Sequence, residues 1–174
     1  DMVAFSGGKG IGGPQSSGLL AGKADLVEAA VMNSLNLDSS VAGIGRPMKV
    51  SKENIVGLVT AIQLFTDSDE VAEWEGWQHK AQYVAERLQG IDGVHVQIED
   101  DPAERQGPQP VLYFENDYEG PTISEIKDQL ENGDPAIFVG GGSDRSEINI
   151  VMVNVQDGEE IVIADRMNEI LRYS

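Results

Sequence analysis

The stretch Asp1-Met2-Val3-Ala4-Phe5-Ser6-Gly7-Gly8-Lys9-Gly10-Ile11-Gly12-Gly13-Pro14-Gln15-Ser16-Ser17-Gly18-Leu19-Leu20-Ala21-Gly22 decides how this chain is read. Met2 to Ser6 is a short apolar run without polar alternation, the pattern of a strand buried on both faces. Gly7 to Pro14 carries five glycines and a proline, which no helix tolerates, so it reads as a loop. Gly18 to Gly22 reads as a second buried strand. Such strands suit the middle of a parallel-type sheet covered by helices on both faces. Only one helix, Asp25 to about Leu35, follows them, and two strands with one helix cannot cover themselves. The expectation is the end of a larger sheet whose earlier strands lie upstream of Asp1. The chain, which starts at Asp rather than Met, then reads as the C-terminal part of a larger fold.

Three phosphate-loop templates can be laid on Ser6 to Pro14. A Walker loop needs Gly five residues before its Gly-Lys pair and Ser or Thr after it; Val3 and Gly10 stand there, so it fails. Gly8-x-Gly10-x-x-Gly13 fits the dinucleotide fingerprint and follows a strand. That fingerprint must open a helix, however, and Pro14 to Gly18 leads into another strand. The third template centres on Lys9. An amine after a buried strand, flanked by glycines that let a planar ring approach, suits a Schiff base with pyridoxal phosphate. Ser6, three residues earlier, is placed for its hydroxyl to meet the cofactor phosphate, and glycine amides add donors to that dianion. A flexible hairpin with a solvated lysine accounts for the same spacing, and spacing alone leaves the two level.

Further along, Asp38 to Pro47 is irregular, centred on Gly43-Ile44-Gly45-Arg46-Pro47. Ser51 opens a helix carrying Ile55, Leu58, Val59 and Ile62, with Asn54 where a capping box would have Glu. Beyond Asp67-Ser68-Asp69 the period resumes through Trp74, Trp77, Ala81, Val84 and Leu88, giving two helices or one kinked one. Val94, Val96 and Ile98 alternate as a strand, and Val111 to Phe114 is another. Thr122 to Leu130 reads as a helix, Ala136 to Val139 and Ile148 to Val153 as strands, and Asp157 to Arg172 as an amphipathic helix. The order strand, strand, helix, strand, strand, helix predicts an α+β unit, an antiparallel sheet with helices on one face. The expected division is residues 1–47, the α/β end of a large domain, and 48–174, a small α+β domain.

Thirty acidic residues face twelve basic ones, for a net charge of -18 and a pI near 4.2. Such a surface repels phosphate backbones and disfavours a nucleic-acid partner. An acid excess with only six lysines fits a salt-rich, halophilic cytoplasm. Cysteine is absent, which excludes disulfides, thiol nucleophiles and zinc-thiolate sites. No apolar run reaches the roughly 18 residues of a membrane span, and no signal-peptide pattern is visible. A cytoplasmic location is expected.

The segment Asp1 to Gly18 resembles the lysine segment of the selenocysteine synthase (L-seryl-tRNA selenium transferase)-like branch of the aspartate aminotransferase fold, fold type I of the pyridoxal-phosphate enzymes. Supporting similarities follow in the family's order: Gly45-Arg46-Pro47-Met48-Lys49-Val50 with the Lys52-Glu53 helix, Gly133-Asp134-Pro135-Ala136-Ile137, and Asp157-Gly158-Glu159-Glu160. The resemblance spans nearly the whole chain. It implies pyridoxal 5'-phosphate held covalently by Lys9, which also shuttles the proton, and Ser6 near the phosphate. It implies a homo-oligomer, a dimer or larger, and lyase or transferase chemistry on an amino acid or amino sugar acid. An ammonia-lyase is the preferred subtype, because the acidic surface suits a tRNA partner poorly.

The chain departs from the family in three places. The aspartate for the pyridine nitrogen and the aromatic residue stacked on the ring belong upstream. Gly12 stands where relatives commonly have Arg, and Gly140-Gly141-Gly142 where they often have one within the strand. This chain alone is therefore expected to bind the cofactor weakly and to be inactive. The alternative is a truncated, non-catalytic domain that only folds and associates with another chain.

Among other residues, Arg46 could fork onto a substrate carboxylate or a phosphate, or tie its loop to an acidic surface. Lys49 reads as structural, and Arg105 and Arg145 as solvated loop residues. His79 and His95 have no metal-ligand spacing. Trp74 and Trp77 read as packing anchors. Gln15, Ser16 and Ser17 could reach a neighbouring subunit's cofactor.

Overall fold

Met2–Ser6 and Gly18–Gly22 are indeed strands, β1 and β2, but they pair antiparallel, with Met2 opposite Gly22 and Ser6 opposite Gly18. This corrects the parallel-type expectation. The computed structural model describes residues 1–34, 43–101, 103, 105, 107–142 and 146–172. Among these, β1 and β2 pair with no strand but each other. A strand is buried on both faces only when other layers cover it, and every β1 residue is exposed.

The chain folds as two compact units, Asp1–Ser68 and Asp69–Ser174. The first holds the hairpin, α1 (Ala24–Asn33), a 3-10 turn at Arg46–Met48 and α2 (Lys52–Asp67). The expected end of α1 at Leu35 lies outside the described residues. Ser51 caps α2 as its Oγ accepts the Asn54 amide at 3.2 Å. Leu58 and Ala61 are the buried residues of this helix.

The two alternatives around Asp67–Asp69 resolve into two helices. In the second unit Asp69 caps α3 (Glu70–Arg87), accepting the amides of Val71 and Ala72. Then follow β3 (Val94–Glu99), β4 (Gln109–Phe114), α4 (Ile123–Glu131), β5 (Gly140–Gly142), β6 (Glu147–Asn149) and α5 (Glu159–Arg172). The sheet order is β3-β4-β6-β5, with every neighbouring pair antiparallel. Val96 lies opposite Leu112 and Leu112 opposite Ile148. These three share a core with Ala81, Val84 and Leu88 of α3, Ile126 and Leu130 of α4, and Ala164 and Met167 of α5. The helices thus cover one face, in the order and arrangement expected from the strand and helix periods.

Two strand boundaries differ from expectation. Ala136–Val139 is irregular; Ile137 is buried and donates to the Leu130 carbonyl at 2.9 Å, while Phe138 is 77% exposed. The strand is the triple glycine that follows. Gly141 has φ +80°, and a Cβ there would strike the Glu147 carbonyl oxygen, so only a bare backbone fits beside β6. Ile148–Val153 is also shorter as a strand. After Asn149 the chain turns through a 3-10 segment at Met152–Asn154. Met152 is fully buried, so sheet and turn feed one core and the apolar run does not mark where the strand ends.

Candidate functional site

An eleven-residue loop joins Ser6 to Gly18 and is closed by its own hydrogen bonds. The Gly7 amide donates to the Ser17 carbonyl at 2.9 Å and the Gly13 amide to the Gly7 carbonyl at 2.7 Å. The Gly12 amide reaches the Lys9 carbonyl at 2.8 Å, closing a tight turn with Lys9 at its start. On its outer side the Lys9 Nζ donates to the Ser6 Oγ at 3.3 Å. The two residues that lie three apart in sequence are therefore together. Both are exposed, and around Gly10 and Gly12 nothing lies within 4 Å of where a Cβ would stand.

The inner side is packed. Gly7 is buried; a Cβ on it would meet Ser17 Oγ and come within 2.7 Å of Leu58 Cδ1. The polar side chains after Pro14 are spent within this unit. Gln15 Nε2 donates to the Gly8 carbonyl at 3.0 Å, Ser17 Oγ to the Pro14 carbonyl at 2.6 Å, and Ser16 Oγ accepts from Asn54 Nδ2 at 2.6 Å. Such a loop offers an amine and a hydroxyl on an open side with a rigid floor beneath, a donor set that fits a phosphorylated ring aldehyde.

Arg46 begins the 3-10 turn, held to the end of α1 by the Gly45 amide on the Asn33 carbonyl at 2.7 Å. Its side chain is exposed, and among the described residues no hydrogen bond or ion pair joins it to Ser6 or Lys9. Asn54 and Gly57 complete the floor, and sequence reasoning missed both. The one signal available was a glycine in mid-helix, which costs helix stability and so asks for a reason.

The second unit holds a separate charged cluster on the sheet face away from the helices. Arg105 is not solvated, as its loop position suggested; its side chain is 8% exposed. It pairs with Glu99 at 2.7 Å and Glu147 at 3.5 Å, and Glu147 is itself 6% exposed. The Tyr113 hydroxyl donates to Glu99 at 2.5 Å. Burial pushes the Glu99 carboxyl up, but bonds from Tyr113, Arg105 and Gln97 outweigh it and leave its pKa below the ordinary value. With its guanidinium spent on two carboxylates, Arg105 braces the loop before β4. Arg145 lies outside the described residues. Trp77 packs on the core as expected, whereas Trp74 is exposed and meets Trp77 edge-on at 6.3 Å. No group of three or more His, Cys, Asp or Glu among the described residues could hold a metal. No described helix is long and apolar enough to cross a membrane.

No protein-family model matches the chain. Two curated proteins are similar to it at the sequence level. One is a 5'-C-glycyluridine monooxygenase-decarboxylase of Streptomyces, 28% identical across 98% of this chain and 41% of that protein. The other is the D-glucosaminate-6-phosphate ammonia lyase of Salmonella typhimurium, 27% identical across 100% of this chain and 44% of that protein. The chain thus spans less than half the length of the curated relatives it matches. A solved D-glucosaminate-6-phosphate ammonia-lyase superposes on 99% of this chain and 44% of its own, with TM-score 0.68 and 27% identity. The SepCysS–SepCysE N-terminal domain complex matches with TM-score 0.61 over 99% of this chain and 46% of its own; at 17% identity the likeness is one of fold.

Proposed function

We propose that the chain is the C-terminal portion of a pyridoxal-phosphate-dependent lyase of fold type I, acting on an amino sugar acid or amino acid. The observation that carries this reading is the Lys9 amine beside the Ser6 hydroxyl on the open side of a floored glycine loop. The likeness to an ammonia lyase in both sequence and fold supports it. The cofactor, when bound, supplies an electron sink for charge developing on a substrate carbon. Lys9 holds it and moves the substrate proton at Nζ, and Ser6 Oγ binds its phosphate. Arg46 is a substrate-carboxylate residue in this reading, its guanidinium exposed and free of hydrogen bonds to the described residues. In this reading residues 1–47 are the end of the large domain and 48–174 the small one, although α2 of the latter folds with the first compact unit, Asp1–Ser68. The working protein is a homo-oligomer in the cytoplasm, and its substrate is a small amino compound rather than a nucleic acid.

The exposed apolar side chains of the first unit favour a second reading, that of a domain built to associate with another chain. Met2, Val3 and Phe5 of β1 and Ile55, Val56 and Val59 of α2 are all exposed. One experiment separates the two. The chain is titrated with pyridoxal phosphate, reduced with borohydride, and the label mapped over its six lysines. Weak labelling is expected, with the share on Lys9 above that on any other lysine. Label spread evenly over the lysines overturns the role given to Lys9 and leaves the associating domain.

A further inference from the structure

Gly57 sits in the middle of α2, where alanine would be the better helix former by about 1 kcal/mol. The structure gives the reason for its absence: a Cβ at this position would stand 2.7 Å from Cγ and 3.2 Å from Cδ of Pro14 in the lysine loop. A proline ring cannot swing aside. One turn earlier on the same face, Asn54 Nδ2 donates to Ser16 Oγ at 2.6 Å. Leu58, one residue on, is buried, with its Cδ1 3.2 Å from where a Cβ on Gly13 would stand. The face of α2 formed by Asn54, Gly57, Leu58 and Ala61 is thus the floor of the Lys9 loop, and it grips the loop downstream of the lysine.

We infer that Asn54 and Gly57 are positioning residues for Lys9. They touch neither the amine nor a ligand. They fix Pro14 and Ser16, and through the bonds from Gln15 to the Gly8 carbonyl and from Gly7 to the Ser17 carbonyl they fix the backbone that leads into Lys9. The amine is then presented beside Ser6 before anything binds, and the entropy of ordering the loop is not charged to the binding step. This inference rests on the role proposed for Lys9.

The test uses the full chain and pyridoxal phosphate with borohydride, read as the share of label on Lys9 relative to the other five lysines. Asn54→Ala is expected to lower that share about fivefold, the shift that follows from losing one hydrogen bond's net contribution. Gly57→Ala is expected to lower it as well, although alanine strengthens the helix, so a general loss of fold cannot account for the effect. Asn54→Asp is expected to keep the share, because the Ser16 hydroxyl can donate to a carboxylate in the same place. Circular dichroism melts of each variant verify that α2 is intact. A wild-type preference for Lys9 that survives both Asn54→Ala and Gly57→Ala overturns the positioning role and leaves Lys9 standing. A wild type without that preference overturns the Lys9 reading, and this inference with it.

Discussion

Arg105 illustrates how much a single side chain depends on what surrounds it. Two carboxylates, Glu99 and Glu147, face it from the same side of the sheet, and its guanidinium pairs with both. Arg105→Met is expected to destabilise the second unit by about 2 kcal/mol, below the full cost of breaking a buried pair because Glu99 keeps some contact with water. Urea unfolding followed by tryptophan fluorescence measures it; an unchanged midpoint would refute the bracing role. The same cluster sets a pH dependence. The lowered pKa of Glu99 contributes stability above the ordinary glutamate value, about 4.3, which is lost as the pH falls below it. Tyr113 is raised, first by its bond to Glu99 and then by burial. Its contribution is present below the ordinary tyrosine value, about 10, and is lost as the pH rises past it. Tyr113→Phe should therefore flatten the alkaline limb of a stability–pH curve and leave an acid limb in place.

At the scale of elements, helix ends are more legible than strand ends. Thr122 opens a helix in the sequence pattern, and it is the N-cap of α4, with its Oγ1 accepting from the Glu125 amide. The Glu125 carboxylate accepts from the Thr122 hydroxyl at 2.7 Å and from the Thr122 amide at 2.8 Å, completing a capping box, and these two bonds hold the Glu125 pKa below its ordinary value. Thr122→Ala should cost about 1 kcal/mol and Thr122→Ser much less, read from the midpoint of urea unfolding. Equal losses in the two variants would mean that the methyl group, not the hydroxyl, matters. The signal is local, because capping uses groups within one turn. Strand ends have no such signal. The run Ile148–Val153 looks uniform in sequence, yet β6 stops at Asn149, because the chain bends to bury Met152.

At the scale of the whole molecule the acidity is unevenly distributed. Residues 1–68 carry six acidic and five basic residues; of thirty acids and twelve bases in all, twenty-four and seven fall in 69–174. Repulsion among carboxylates therefore burdens the second unit, whereas the unit carrying Lys9 is nearly neutral and better able to receive a phosphate dianion. If the acid excess is a halophilic adaptation, the melting temperature should rise between dilute buffer and molar KCl as the repulsion is screened. A melting temperature that does not move would remove that explanation of the composition.

The sequence by itself determined the helices, the strand-strand-helix order of the second unit, and the Lys9–Ser6 spacing. These follow from periods of two and 3.6, from capping groups, and from glycine runs, all of which act over a few residues. The tertiary structure decided the antiparallel pairing of β1 with β2, the burial of Arg105, and the use of three glycines as β5. It also decided the gripping of the lysine loop by Asn54 and Gly57, thirty-eight residues beyond Ser16 in the first case. Each of these depends on which distant backbone or side chain lies within a few ångströms, and a periodic pattern carries no record of that distance.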